Sequence, residues 1–113
     1  MFRACDLEAL PDAERDDCAM RLATSYLKEG NLRDASVWFL LLKEVSPRYQ
    51  SDATYNLAYI DYVEKRYNKA LDAFLSLKDD AVYSSLVPYY IGEIYLLQGN
   101  YEQARSVAER YLK

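Results

Sequence analysis

A helical pattern that occurs three times constrains this 113-residue chain more than any other feature of its sequence. The three copies align on Ala35, Ala70 and Ala104, at spacings of 35 and 34 residues. Each copy contains two amphipathic segments joined by a short break, and one such hairpin cannot bury all of its apolar surface alone. A period in the thirties therefore predicts an array of stacked helical units. The copies are MRLATSYLKEGNLRDASVWF at 20–39, YNLAYIDYVEKRYNKALDAF at 55–74 and YYIGEIYLLQGNYEQARSVA at 89–108.

Residues that break helices place the boundaries of these segments. Gly30-Asn31 and Gly99-Asn100 indicate helix-ending turns, because Gly and Asn tolerate a left-handed backbone. Ser46-Pro47 ends a helix in the first copy, and Asp79-Asp80 ends one in the second. The predicted helices are 16–28, 32–45, a third capped by Ser51 or Asp52 and running to 65, 67–78, a fifth capped by Ser84 or Ser85 with Pro88 in its first turn, and 101–113.

The first ten residues fit the same pattern in part. Residues 2–10 indicate a helix that ends at Pro11-Asp12, and Pro11 lies 36 residues before Pro47. They therefore match the second helix of a copy whose first helix is missing. We interpret the chain as a piece of a longer array; the alternative is a dedicated N-terminal capping helix.

Composition argues against catalysis. The sequence has no His, which removes Ser-His and Cys-His nucleophile pairs and the usual metal ligand. Its 3 glycines are isolated, so no phosphate-binding loop is present. The acidic pairs Asp16-Asp17 and Asp79-Asp80 fall at predicted helix ends, where carboxylates ordinarily cap the helix or face water. We expect no enzyme activity, no cofactor and no metal.

Charge and hydropathy limit the partners. A net charge of −4 makes nucleic acid and anionic membrane surfaces poor partners. The longest apolar run, residues 37–42, is far shorter than the roughly 18 residues that a membrane-spanning helix needs. Direct membrane insertion is therefore not expected. The N-terminus lacks a basic-then-apolar signal segment, so the compartment, cytoplasm or bacterial periplasm, depends on the full-length protein.

The two cysteines, Cys5 and Cys18, are nearly equidistant from the turn at 11–12. An antiparallel hairpin would bring them roughly opposite each other. Two thiols packed between helices are the more ordinary interpretation. A disulfide, which would require an oxidising compartment, is the alternative.

Positions counted from the anchoring alanines carry a family resemblance. A large apolar residue and then a small one stand thirteen and twelve residues before each anchor, where two helices of a hairpin would cross closely. Aromatic residues stand nine before or four after most anchors, and Pro47 stands twelve after the first. In these respects the copies resemble tetratricopeptide repeats. The matching residues are Leu22-Ala23, Leu57-Ala58, Ile91-Gly92, Tyr26, Tyr95, Phe39, Phe74 and Pro47.

The resemblance covers about residues 16–113 and implies an all-α fold. That fold is a right-handed superhelix of antiparallel helix-turn-helix repeats, an alpha-alpha superhelix, with the first helices on its concave side. The implied organisation is a tail of a preceding repeat or a capping helix at 1–15, repeats at 16–50 and 51–84, and an incomplete third repeat at 85–113. The chain departs from the family at Asp61, Lys65, Val82 and Ala108, where Tyr, Gly, Pro and an aromatic residue are usual.

One face of each first helix is expected to line the concave side. In the middle copy this face carries Tyr55, Tyr59 and Tyr62 at i, i+4 and i+7. Surface helices normally turn polar residues to water, and rigid aromatic rings suit a groove that binds a peptide or helix. The alternative is that these tyrosines pack on one another and on the next unit. The full set of candidate partner-binding residues is Met20, Thr24, Leu27, Tyr55, Tyr59, Tyr62, Tyr89, Glu93 and Leu96.

Some tetratricopeptide proteins hold the C-terminal carboxylate of a chaperone with Lys, Asn and Arg side chains on this face. Of the matching positions here, only Asn56 carries such a side chain. Carboxylate capture of that type is therefore not expected, and an extended or helical segment with hydrophobic anchors is favoured. The matching positions are Met20, Thr24, Asn56, Leu86 and Tyr90.

Two functions follow from the sequence. The first is a non-catalytic scaffold that binds a protein or peptide of unknown identity in the concave groove. The second is a structural spacer or self-association module of a larger protein, for example one of the bacterial envelope. Self-association would then use the open repeat ends at 2–10 and 101–113, because uncapped apolar faces favour stacking.

Overall fold

The computed structural model of the protein describes residues 11–111, and these residues form six α-helices. The prediction of an all-α chain is confirmed. The helices are α1 (Asp12–Lys28), α2 (Leu32–Val45), α3 (Gln50–Val63), α4 (Tyr67–Ser76), α5 (Val87–Leu97) and α6 (Tyr101–Tyr111). The predicted helix at residues 2–10 lies outside the described residues.

The chain divides into two compact units, Met1–Thr54 and Tyr55–Lys113. In the first unit α1 packs against α2. The two helices supply small and large apolar residues to a buried core. These residues are Ala19 and Ala23 on α1 and Ala35, Phe39 and Leu42 on α2.

The core of the second unit is built from α3, α4 and α5. Its buried residues are surrounded by half-buried tyrosines and by Val107 of α6. Gly92 lies buried on α5. A Cβ added to this glycine would lie 3.8 Å from the Cγ1 of Val107 on α6. That is ordinary van der Waals contact, so an alanine would also fit at this position between α5 and α6. The buried residues are Ala58, Ala70, Phe74, Leu77, Val87, Ile91 and Ile94.

α1 begins four residues earlier than predicted. Pro11 is its N-cap, with φ −58° and ψ 157°, and the Pro11 carbonyl accepts a hydrogen bond of 2.8 Å from the Arg15 N–H. Proline suits a helix start because its fixed φ and missing N–H cost nothing there. Asp16 and Asp17 therefore lie within the helix and not at its end. The Tyr49 hydroxyl donates a hydrogen bond to Asp17, whose carboxylate also pairs with Arg48 at 3.2 Å.

α5 begins later than predicted, and neither Ser84 nor Ser85 caps it. Leu86 is the N-cap and makes no side-chain capping bond, while Pro88 lies in the first turn as expected. Asp80 organises the preceding turn, because its Oδ1 accepts hydrogen bonds from the N–H groups of Val82 (2.8 Å) and Tyr83 (3.1 Å). An Asp side chain that accepts hydrogen bonds from N–H groups two and three residues ahead stabilises a turn, and this turn forms in place of a helix capped by Ser84 or Ser85.

The three turns between paired helices use the same backbone hydrogen bonds in the same register. Each turn contains one bond spanning three residues and one spanning five, the pair that defines a Schellman C-cap. The sequence pattern that aligns the three copies is therefore matched by a repeated local structure. The bonds are Gly30 N to Leu27 O (3.1 Å) and Asn31 N to Tyr26 O (2.9 Å), Lys65 N to Tyr62 O (3.1 Å) and Arg66 N to Asp61 O (2.8 Å), and Gly99 N to Leu96 O (3.1 Å) and Asn100 N to Tyr95 O (2.8 Å).

The middle turn places a lysine where the other two have glycine. Lys65 has a φ of 67°, beside 82° for Gly30 and 79° for Gly99. A residue with a Cβ is strained in this left-handed conformation. The neighbouring Asp61, another departure from the repeat pattern, accepts a hydrogen bond of 2.8 Å from Arg66 Nε and so ties the end of α3 to the start of α4.

Cys18 lies half-buried on α1 and is disulfide-bonded. Cys5, the only other cysteine in the sequence, lies outside the described residues. The predicted relation between the two cysteines therefore lies in part outside the described residues.

Replacing Lys65 by glycine is expected to raise the free energy of unfolding by ~0.5–1 kcal/mol, because glycine adopts a left-handed backbone without strain. The greater entropy of glycine in the unfolded chain offsets part of this gain. Urea denaturation of wild type and Lys65→Gly measures the change. Gly99→Ala is the matched control, since it adds a Cβ at the equivalent position and should lower the stability. Unchanged or reduced stability of Lys65→Gly would show that this turn carries no strain.

Candidate functional site

The second unit carries an aromatic cluster contributed by α3, α4, α5 and the turn before α5. Aromatic side chains are found at three of the predicted groove positions of α3 and at one of α5. The structure adds three rings that helical periodicity alone does not assign to the site. The cluster consists of Tyr55, Tyr59, Tyr62, Phe74, Tyr83, Tyr89 and Tyr90.

Tyr90 is the centre of the aromatic cluster. Its ring stacks on Phe74 with centroids 4.9 Å apart and an interplanar angle of 4°. Its edges meet Tyr62 at 5.6 Å, Tyr55 at 6.1 Å and Tyr89 at 5.5 Å. Aromatic pairs in such geometries contribute ~0.5–1.5 kcal/mol each beyond their buried area. Tyr90 therefore joins α3, α4 and α5 and is a structural residue.

Tyr55 is held on several sides at once. Its ring stacks on Tyr83 at 4.5 Å and meets Phe74 edge-on at 6.0 Å. Burial, together with a side-chain hydrogen bond to Tyr90, raises the pKa of Tyr55 to about 12 from an ordinary value of 10.0. The tyrosine predicted first among the groove residues of α3 is thus committed to packing.

Tyr62 lies between the core and the surface. The Tyr62 side chain packs against the buried core of the second unit, and its ring centroid lies 6.2 Å from that of Tyr67. Burial is the main cause that raises the pKa of Tyr62, and the negative charge of Glu93 on α5 is the next. The Glu93 carboxylate of α5 therefore acts electrostatically on the Tyr62 phenol.

α5 presents an exposed row of residues beside these rings. Tyr89 is 59% exposed and Leu96 is 50% exposed, with half-buried Glu93 on the same helical face. The three residues follow i, i+4 and i+7 spacing, which places them along one stripe. We call Tyr89, Glu93 and Leu96 the α5 row. Tyr59 is half-buried and its one ring contact, to Tyr90, is long, at 6.4 Å.

The other three predicted groove residues lie on α1, in the first unit. Met20, Thr24 and Leu27 are all half-buried. Thr24 Oγ1 donates a hydrogen bond of 2.8 Å to the Met20 carbonyl, so its hydroxyl is engaged with its own helix. The remaining six predicted residues belong to the second unit.

The missed members of the cluster differ in how visible they are in the sequence. In the sequence Phe74 occupies a position that the repeat pattern assigns to packing, and Tyr90 occupies one of the positions compared with carboxylate-binding side chains. Neither assignment predicts that the two rings stack on each other. Tyr83 lies in the turn at 81–86, where helical spacing gives no orientation. The one available signal is the density of tyrosines, of which the sequence has 12.

Within residues 11–111 no group of three or more His, Cys, Asp or Glu residues could hold a metal ion. Among the helices described, none is long and apolar enough to cross a membrane. Comparison of the chain with models of known protein families, with curated protein sequences and with solved structures finds no match.

Substituting tyrosines of α3 should separate packing from surface roles. Tyr55→Ala removes three ring contacts and is expected to lower the free energy of unfolding by ~2–4 kcal/mol, whereas Tyr59→Ala should cost ~1 kcal/mol or less. Urea denaturation followed by circular dichroism measures both. Equal losses for the two variants would contradict the assignment of Tyr55 to packing.

The raised pKa of Tyr55 predicts a loss of stability in alkali. Because the folded chain holds this phenolic proton more tightly than the unfolded chain does, its contribution is complete below pH 10.0 and is lost as pH rises toward about 12. Urea denaturation at several pH values across this window measures the decline. Tyr55→Phe should make the decline shallower, without abolishing it, because the pKa of Tyr62 is raised as well. An unchanged decline in Tyr55→Phe would contradict the prediction.

Proposed function

We propose that the chain is a non-catalytic protein-binding module of the tetratricopeptide type, and that the second unit carries its binding surface. Three observations support the type. The Schellman turns recur in register, each second helix begins with a hydrogen bond from an anchoring alanine N–H to the carbonyl four residues earlier, and small buried residues stand at the expected crossing points. Those residues are Ala23, Ala58 and Gly92.

The observation that carries the binding role is the exposure of the α5 row beside the aromatic cluster. A surface helix normally turns polar side chains to water, yet Tyr89 and Leu96 are at least half exposed. Exposed apolar side chains next to partly buried rings are typical of an interaction surface. Tyr59 and Tyr62 extend that surface onto α3. The ring of Tyr90, which also contacts Tyr55, packs against both of them.

The surface favours a partner segment with hydrophobic anchors. Tyr89 and Leu96 lie seven residues apart on one helical stripe, about 10 Å along the axis, which suits two side chains of an extended or helical peptide. Glu93 lies between them and forms no salt bridge with any described residue. A basic residue between the two anchors would therefore complement the row.

Selection of peptides from a random phage-displayed library tests the proposal directly, because the library requires no candidate partner. Wild-type protein is expected to enrich peptides that carry two apolar residues flanking a basic one. These peptides should lose binding to a Tyr89→Ser, Leu96→Ser double variant, and Tyr59→Ala should weaken them by ~1–3 kcal/mol.

The matched control is the Leu75→Ser, Val82→Ser double variant. It also removes two exposed apolar side chains of the second unit, 37% and 66% exposed, but leaves the α5 row intact, and it should keep full affinity. Circular dichroism of every variant confirms folding. The proposal is wrong if no peptide is enriched, or if the α5 row variant binds the peptides as tightly as wild type.

A further inference from the structure

The second helix of the first unit has apolar residues on two opposite faces. One face of α2 is buried and carries Ala35, Phe39 and Leu42. At about 100° per residue, the opposite face carries a second apolar group, which is open to water. Its members are Val37 (59% exposed), Leu40 (51%) and Leu41 (40%), with Val45 (43%) at its border. Among residues 11–111, neither the buried core of the first unit nor the proposed peptide surface includes this outer face.

Charged residues close the outer face at both ends. Arg33 stands four residues before Val37, and Glu44 four residues after Leu40, so that Arg33, Val37, Leu40 and Glu44 follow 4-3-4 spacing. This spacing forms a narrow stripe of the kind that packs helix against helix. Arg33 and Glu44 are both exposed, and within residues 11–111 neither forms a salt bridge.

We propose that the outer face of α2 binds the same face of a second copy of the chain, with the two helices antiparallel across a two-fold axis. The axis passes midway between Val37 and Leu40, so each Val37 meets the partner copy's leucine at position 40. The same operation places Arg33 opposite position 44 of the other copy, and Glu44 opposite position 33. Both ends of the apolar stripe then carry a pair of opposite charges.

The charges at the two ends of the stripe favour a second copy of the chain as the partner and an antiparallel arrangement of the two α2 helices. A parallel pair of the same helices would set arginine beside arginine and glutamate beside glutamate, which is unfavourable. Only the antiparallel arrangement makes the stripe self-complementary, as a two-fold interface requires. The two charge pairs lie about 16 Å apart, because eleven residues separate positions 33 and 44.

This interface differs from self-association through the ends of the array, and it does not depend on the peptide-binding role. One 14-residue helix from each copy buries less surface than a standard protein interface. We therefore expect a dimer that forms as the protein concentration rises and dissociates on dilution.

Sedimentation equilibrium at increasing protein concentration, with charge-reversed variants, tests the proposal. Wild type should show a monomer–dimer equilibrium. Arg33→Glu alone and Glu44→Arg alone should each weaken the dimer roughly tenfold, because each places like charges together at two symmetric positions. The double variant Arg33→Glu, Glu44→Arg should regain the wild-type dissociation constant, since the pairs are restored with exchanged signs.

Mixing the two single variants provides the sharpest readout. A chain with glutamate at both positions and a chain with arginine at both positions carry opposite charges at both ends of the stripe, so the mixture should form a heterodimer although each variant alone is largely monomeric. The direction of the helices is tested by the single reversals, which weaken an antiparallel homodimer but would leave a parallel one unchanged. Leu40→Gln should remove the dimer, while Leu75→Gln on α4 should leave it unchanged. Circular dichroism shows that each variant is folded.

Three outcomes would overturn the proposal. These are a wild-type chain that is monomeric at every concentration, a dimer that Leu40→Gln leaves intact, and single charge reversals without a heterodimer on mixing. Retention of the dimer in the Tyr89→Ser, Leu96→Ser variant is also expected, and it separates this surface from the peptide surface.

Discussion

Chain reversal within each hairpin depends on one residue that adopts a left-handed backbone. That residue brings the N–H groups of the turn close to the last carbonyl groups of the preceding helix. The two hydrogen bonds that form there fix the residue at which the next helix begins. The anchoring alanines stand five residues after each left-handed residue, and all three are buried. A side chain in the turn therefore affects packing that lies a full helical turn away.

Tyrosine gives the second unit both its rigidity and its surface. A phenol ring can stack, meet another ring edge-on and still leave its hydroxyl near water. In the aromatic cluster Tyr90 packs its half-buried ring on Phe74 and on tyrosines of α3, whereas Tyr89 beside it stays mostly exposed. Adjacent residues on one helix thus have opposite roles, because successive side chains differ by about 100° around the axis. On the proposed peptide surface the exposed rings are held in place by the packed ones, which would reduce the entropy cost of binding a peptide.

The sequence predicted helical content and most turn positions well, because Gly-Asn pairs, prolines and apolar periodicity act locally. The bounds of α2 were predicted to the residue. The predicted starts of α1, α3 and α5 were wrong. Pro11 and Asp80 make backbone contacts that capping rules for Ser and Asp do not anticipate, and α3 begins at Gln50, so that neither Ser51 nor Asp52 is its cap. The sequence left both a groove role and a packing role open for Tyr55 and assigned no role to Tyr83, because ring stacking joins an α3 residue to a turn 28 positions later. Helical spacing orders residues around one axis and carries no information about rings that arrive from a turn.

The uneven placement of aromatic residues has a consequence for how the folding of this chain can be observed. The single tryptophan, Trp38, lies half-buried on α2 in the first unit, while all but two of the tyrosines lie from residue 55 onward. Tryptophan fluorescence therefore reports on one unit, and near-ultraviolet tyrosine dichroism reports mainly on the other. Coincident transitions would identify a single cooperative body, and separated transitions would identify two that unfold in sequence. The chain thus carries an intrinsic optical label for each half.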